Sequence, residues 1–352
     1  MHIGLLTGGG DCPGLNAVIR AVTLALLEAG VSRVTGIERG FLGLIERRAQ
    51  PLDEPRVRDL LAEGGTVLGT HNRADPFHYF GAGGADVSGD ALAFAQSLGL
   101  DLLVAIGGDG TMTIAERFGR LGLPVIGVPK TIDNDIVGNE RSFGFDSAVA
   151  VVADALNRLQ TTARSHGRVM LLETMGRHAG WIALEGGIAG GADAILIPER
   201  GFTLEQLAMH CERRIAAQGY ALVCLAEGMQ LPELPRQLQG DAFDGRLTLA
   251  GAGLPLQAAL QARWGAAIEV RYSLLGHLQR GGAPSSFDRV LSTRFGVAAA
   301  RAVLAGERQR MVALRGDRIV SVPLDEVAGV SRPVPADHEL LAVASAVGQL
   351  PG

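Results

Sequence analysis

The chain has 352 residues with a formal net charge of -5, 47% hydrophobic and 20% charged residues, and 49 glycines. Single hydrophobic cores stop growing near about 250–300 residues, so about two domains are expected and a small binding module is excluded. The acidic balance and the 5% aromatic content argue against a surface that coats nucleic acid or stacks its bases.

In chain order, short apolar runs alternate with amphipathic segments of helical length. HIGLLT (2–7) reads as a strand, 16–29 as a helix, DLLVAI (101–106) as a strand, 111–121 as a helix and LPVIGV (123–128) as a strand that Pro129 ends. The pattern restarts with a helix over 145–163, RVMLLET (168–174) as a strand, a helix near 178–190, DAILIPE (193–199) as a strand, a helix over 204–217 and YALVCLAEG (220–228) as a strand. Continuous apolar strands between helices predict parallel sheets covered on both faces, so the fold class is α/β: two similar three-layer α/β/α domains with mainly parallel sheets. The Pro-, Gly- and Gln-rich stretch 229–255 reads as a surface connection, and MVALRGDRIVSVPL reads as a hairpin about Gly316 and Asp317.

Three scattered cysteines, Cys12, Cys211 and Cys224, have neither disulfide-framework nor zinc spacing and read as buried free thiols of a reducing compartment. The amino terminus enters its first strand with no basic n-region, and the most apolar stretch, NAVIRAVTLALLEAG, carries Arg20 and Glu28 and is too short for a bilayer. A cytoplasmic protein without membrane partners is expected.

Ligands of such folds bind at the carboxyl ends of the strands, where three loops stand out. TGGGDCPG (7–14) lets backbone approach phosphate oxygens at a helix start, or else is a tight turn; neither GxGxxG nor GxxxxGK[ST] fits it. IGGDGT (106–111) sets Asp109 between glycines: beside phosphates a carboxylate implies Mg2+ between the two, whereas alone it reads as a helix N-cap. In PKTIDNDI (129–136), Thr131, Asp133 and Asp135 fall at alternate positions of what reads as an extended segment, pointing one way. One carboxylate near a metal and one near a hydroxyl suit phosphoryl transfer; a solvated polar loop is the plain alternative.

GGGDCPGLNAVIR, GGDGT, PKTIDND, MGRHAGW and GHLQRGG resemble, in order and spacing, the 6-phosphofructokinases, over residues 2 to about 330. TIDND together with GHxQRGG is specific, whereas GGDGT alone also occurs in NAD and lipid kinases. The resemblance implies phosphoryl transfer to the 1-hydroxyl of fructose 6-phosphate, with Mg2+ as cofactor and a homodimer or homotetramer whose sites are shared between subunits. It implies Asp133 as general base, Asp135 and Asp109 on the Mg2+ side, Thr131 at the transferring phosphoryl and Arg177 balancing its charge. Gly9, Gly10, Arg73, Gly108, Gly110, Thr111 and Lys130 would hold the donor. Met175, Gly176, Glu227, His277 and Arg280 would contact the sugar phosphate, with Arg168 and Arg271 reaching it from a neighbouring subunit. Read alone, the arginines are surface charges, His277 a core histidine and Met175 core packing. The implied domains are 1–144 plus about 279–308 for the donor, and 145–278 plus about 309–352 for fructose 6-phosphate.

Two positions bear on the donor. Gly110 is the residue type of ATP users, whereas Lys130 is commoner among pyrophosphate users; Asn72 replaces an arginine of many ATP-type members, and Arg73 beside it can substitute. ATP is expected as donor, with a pyrophosphate-dependent phosphotransferase as the alternative. An NAD-kinase-like enzyme leaves PKTIDND and GHLQRGG unexplained, and a sugar phosphate sensor needs no proton acceptor at Asp133. At the effector pocket of bacterial ATP-type members Arg20 remains, but Leu24, Gln160 and Gln218 replace three expected cations, so loss of that response is expected.

Overall fold

A computed structural model describes residues 1–234, 238–240, 247–249 and 251–351. The chain divides into two compact units: residues 1–132, 136–147 and 280–331 form the first, and 133–135, 148–279 and 332–352 the second.

In chain order the first unit holds β1 (His2–Thr7), α1 (Leu15–Glu28), β2 (Arg33–Ile37), α2 (Phe41–Glu46), β3 (Ala49–Pro51), α3 (Glu54–Val57), α4 (Ser88–Ser97), β4 (Leu102–Gly107), α5 (Asp109–Arg120), β5 (Val125–Thr131) and β6 (Phe143–Gly144), followed by α6 (Phe145–His166), which runs out of it. The second unit continues with β7 (Val169–Thr174), α7 (Trp181–Ala189), β8 (Ala194–Leu196), α8 (Leu204–Gln218), β9 (Ala221–Ala226), β10 (Leu238–Gly240), β11 (Leu247–Leu249), α9 (Gly253–Trp264) and β12 (Val270–Leu274). The chain returns to the first unit through α10 (Ser286–Leu304), β13 (Arg310–Arg315) and β14 (Arg318–Pro323), and ends in the second with α11 (Glu339–Ala346).

Among the described residues the first sheet has the strand order β14-β13-β5-β4-β1-β2-β3, with β6 beside β5, and its central pairs β1–β2, β1–β4 and β4–β5 are parallel. The chain leaves β1 toward β2 on one side, while β4 and β5 fill the other, so β1 and β4 flank a topological switch point where loops diverge. β1, β4 and β5 are buried along their whole length, as continuous apolar runs under helices on both faces must be. Leu6, Leu103, Met112 and Phe118 belong to one core cluster, with Phe41 stacked on Phe118 at 5.7 Å between ring centroids. On the other face α1 packs on α10 so closely that a methyl at Gly296 would stand 2.6 Å from Ala21 Cβ.

The second unit's sheet, β12-β7-β9-β8, is parallel throughout, with Leu171, Leu196, Val223 and Leu225 in one core cluster with Leu256 and Leu260 of α9. The α/β class with mainly parallel sheets is therefore what the alternating pattern implied. Cys12, Cys211 and Cys224 are buried free thiols, and burial pushes each up to about 12.

Four expectations change. Pro129 does not end its strand: β5 runs to Thr131, pairing with β4 as far as Pro129 and with β6 from Lys130, so the missing N–H falls where the strand changes neighbours. The TIDND segment is not extended, because Asn134 has φ 54 and breaks the two-residue alternation. The hairpin at Gly316-Asp317 forms with Arg315 opposite Arg318, but β13 pairs with β5 at Ile126 and Gly127, so the hairpin belongs to the first sheet, not to a partition taking 309–352 into the second domain. Local pattern reveals a hairpin but not which sheet edge it completes. Within 229–255, positions 235–237, 241–246 and 250 lie outside the described residues; β10 pairs antiparallel with β11, and α9 opens at Gly253.

Candidate active site

In the first unit the three loops singled out in the sequence leave β1, β4 and β5, three adjacent parallel strands, at the same end of the sheet. The first loop is tied to the second strand where Gly8 N–H donates to Ile106 O at 2.9 Å. Both loops press on Thr111, which is buried: a methyl at Gly8 or Gly107 would stand 2.6 or 2.2 Å from Thr111 Oγ1. Glycine is therefore required there because the Thr111 side chain fills the space a Cβ would take, not for turning alone. The lip of the first loop is held by Thr70 Oγ1, which donates to Gly9 O at 2.5 Å, by Lys130 Nζ, which donates to Gly10 O, and by Arg280 Nη1, which donates to Asp11 O at 3.1 Å. Lys130 is 3% exposed, an ammonium buried against backbone carbonyl. Arg73 lies over the Phe80 ring, 5.7 Å from its centroid.

Asp109 is the first residue of α5, whose N-cap is Gly108 with no side-chain cap, so Asp109 is not the helix cap that its residue type suggested. Its half-exposed carboxylate stands at a helix N-terminus, which attracts anions and the cations that accompany them. Beside it Gly110 is exposed, and a methyl there would meet nothing within 4 Å.

In the second unit Asp133 is 2% exposed, yet Oδ2 lies 3.8 Å from Nε of the exposed Arg177. Arg177 is placed by its backbone. Its φ is 53, in the left-handed region where residues other than glycine are strained, and Gly176 before it has φ 139. Glu227 Oε1 accepts the Arg177 N–H at 2.9 Å, and a methyl at Gly228 would fall 1.8 Å from Arg177 O, so the turn is gripped from β9's end. Asp135 is buried, and Met175 is half-buried rather than core.

His277 is exposed, which removes the core-histidine reading. Arg168 and Arg271 flank one carboxylate, Glu269, and each forms an ion pair with it. Glu269 went unnoticed in the sequence, although its position two residues before Arg271 on β12's approach is a usable signal. Glu173, two residues before Met175, also escaped notice: it is 2% exposed, burial pushes its carboxyl up, and it accepts the Gly253 N–H at 2.6 Å. Thr131 ends β5 in the first unit, and Asp133, two residues later, belongs to the second.

Arg20 lines a groove of about 540 Å³ in the first unit with Leu24, Glu28, Glu54, Thr293 and Val297, a lining with two carboxylates and one cation. In the second unit Gln160 donates to Tyr220 Oη at 3.1 Å, and Gln218 donates to both Asp193 carboxylate oxygens at 3.0 Å.

Known proteins resemble this chain in sequence and fold. The chain is 46% identical over 341 residues to the ATP-dependent 6-phosphofructokinase 2 of Streptomyces coelicolor, covering 96% of this chain and 98% of that protein. It is 45% identical over 342 residues to the pyrophosphate–fructose 6-phosphate 1-phosphotransferase of Amycolatopsis methanolica, covering 96% of this chain and 97% of that protein. Its fold superposes on the T-state crystal structure of Pichia pastoris phosphofructokinase with a TM-score of 0.81 at 31% identity, covering 98% of this chain and 36% of that one. The phosphofructokinase family model matches residues 2–303, and the chain therefore belongs to the phosphofructokinase family of phosphotransferase enzymes.

Proposed function

We propose that this enzyme transfers the γ-phosphoryl group of ATP to the 1-hydroxyl of D-fructose 6-phosphate, giving fructose 1,6-bisphosphate in glycolysis, with Asp133 as general base. The observation that carries the reading is the buried Asp133 carboxylate 3.8 Å from a guanidinium that a strained turn holds in place. A carboxylate so placed accepts the alcohol proton as the hydroxyl oxygen attacks, while Arg177 offsets charge on the phosphoryl oxygens. Backbone N–H groups of the glycine loops, with Thr111 beneath them, cradle the donor phosphates, and Thr131 is assigned to the transferring group. Met175, Gly176, Glu227, His277 and Arg280 are assigned to the sugar phosphate, with Arg168 and Arg271 binding its 6-phosphate across a subunit interface in a homodimer or homotetramer. On this reading the first unit serves mainly the donor and the second mainly the sugar.

The donor set suits Mg2+ brought in with the nucleotide. Among the described residues no group of three or more His, Cys, Asp or Glu side chains forms a metal cage. Mg2+ is habitually bound through one or two carboxylates plus phosphates and water, and Asp109 at the start of α5 can provide such a carboxylate. When bound, the ion neutralises phosphate charge during transfer. Among the described residues no helix is long and apolar enough to cross a membrane, and a cytoplasmic site of action is proposed.

ATP is favoured by the open space over Gly110, where a larger side chain would intrude on a nucleotide. The second reading, pyrophosphate as donor, has Lys130 and equally similar relatives in its favour. Side-by-side turnover of fructose 6-phosphate with ATP and with pyrophosphate tests this: faster turnover with ATP is expected, and turnover with pyrophosphate alone reverses the assignment.

A further inference from the structure

The segment carrying Asp133 is held from the far carboxyl-terminal part of the chain. Arg332 Nη2 donates to Asn134 O at 2.8 Å, and Arg332 N–H donates to Asp135 O at 2.7 Å. The two carbonyls thus engaged follow Asp133 directly, and the first belongs to Asn134, whose φ of 54 turns the chain out of extended geometry. The guanidinium is itself fixed: it lies over the Trp181 ring, 4.4 Å from the centroid, and Trp181 Nε1–H donates back to Arg332 O at 3.0 Å. His338 meets Trp181 edge-on at 4.9 Å, completing a stack behind the arginine. Trp181 opens α7, a few residues beyond Arg177, the guanidinium partner of Asp133. Arg332 lies outside residues 2–303, the part of the chain that the family model matches.

We propose that Arg332 is a positioning residue for the reaction: by bonding the Asn134 carbonyl it holds the left-handed bend that aims the Asp133 carboxylate at the acceptor hydroxyl. The inference rests on the reading of Asp133 as general base. A flat, charged fork stacked on an indole suits this task, because it restricts the donor's direction as well as its distance. Lost aim at a reacting centre slows chemistry far more than binding.

The test compares steady-state kinetics of Arg332→Met, which keeps a stem over Trp181 but no donor, and Arg332→Ala, each alone and combined with Asp133→Ala. The expected result is a kcat lower by about 10- to 100-fold in both single variants, with the KM for fructose 6-phosphate within about twofold. Added guanidinium ion should restore part of the rate to Arg332→Ala. In the Asp133→Ala background the Arg332 substitutions should cost nothing further, because a residue acting through Asp133 has nothing left to aim. A normal kcat in Arg332→Met, a further loss in the double variants, or loss of the folded state in both single variants overturns the proposal. If Asp133→Ala itself retains most of its rate, the reading of Asp133 falls and the inference with it, a result distinct from an inactive Asp133→Ala beside an unimpaired Arg332→Met.

Discussion

The two units present their functional groups by opposite means. At the strand tips of the first unit the prominent groups are backbone: Gly8 and Gly107 close over Thr111, and the neighbouring side chains Thr70, Lys130 and Arg280 bond loop carbonyls. In the second unit they are charged side chains: Asp133 and Arg177, beside left-handed backbone at Asn134 and Arg177, and Arg168, Arg271 and Glu269, paired at the amino-terminal starts of β7 and β12. A polyanionic donor can be bound by many N–H groups of any sequence that folds back closely enough, so glycine suffices. Proton transfer and charge balance at one hydroxyl need particular side chains at particular angles, so strain at Arg177 and Asn134 is tolerated.

If this division holds, substitutions on the side-chain half should strike the chemical step hardest. Asp133→Ala is expected to lower kcat by roughly 100- to 10,000-fold while leaving nucleotide binding nearly intact. A variant retaining most of its rate, measured in a coupled assay, would remove the base from the mechanism. On the backbone half, Gly110→Asp fills the open space beside Asp109 with a second carboxylate. The expected outcome is a KM for ATP raised by about 10-fold or more, with smaller loss for pyrophosphate, since two like charges at one phosphate site repel. An unchanged KM for ATP would show that the donor does not pass over Gly110.

A smaller effect concerns the scaffold of the first unit. Asp288, buried at the start of α10, accepts from Ser147 N–H at 2.8 Å and Ser147 Oγ at 2.6 Å, at the point where α6 leaves the first unit. Burial pushes its carboxyl up from 3.8 to about 6. The folded state then holds more protons than the unfolded state between those values, so Asp288 favours folding below that window and loses the contribution as pH rises through about 6. The difference in melting temperature between the wild type and Asp288→Asn should therefore shift in favour of the wild type as pH falls from 7 to 5. A pH-independent difference would place Asp288's titration outside this range. The smallest expected effect is none: with Leu24, Gln160 and Gln218 in place of cations, and two glutamates lining the Arg20 groove, phosphoenolpyruvate and ADP should leave saturation by fructose 6-phosphate unshifted. A strong shift would mean that an anion site exists elsewhere.

The fold was legible where period and composition speak locally. Continuous apolar runs such as LLVAIG are readable as buried parallel strands because both faces need apolar cover. The hairpin at Gly316-Asp317 was readable because its two-residue turn has a residue signature. Its place beside β5 was not, because the choice of sheet edge depends on contacts between residues almost two hundred positions apart. Pro129 misled for a related reason: a missing N–H ends a strand only where a neighbour needs it, and β5 changes neighbours there.

The candidate site divides in the same manner. Glycine loops after strands, the alternating carboxylates of TIDND and the family resemblance are properties of neighbouring residues, and sequence alone sufficed to nominate them. Only the folded chain could reveal that Asn134 bends the segment, that Glu269 joins Arg168 to Arg271, and that Arg332 reaches back to a carbonyl almost two hundred residues earlier. Residue type and spacing limit what a local stretch can do; the direction of a carboxylate is set by packing and hydrogen bonds that converge from distant parts of the chain.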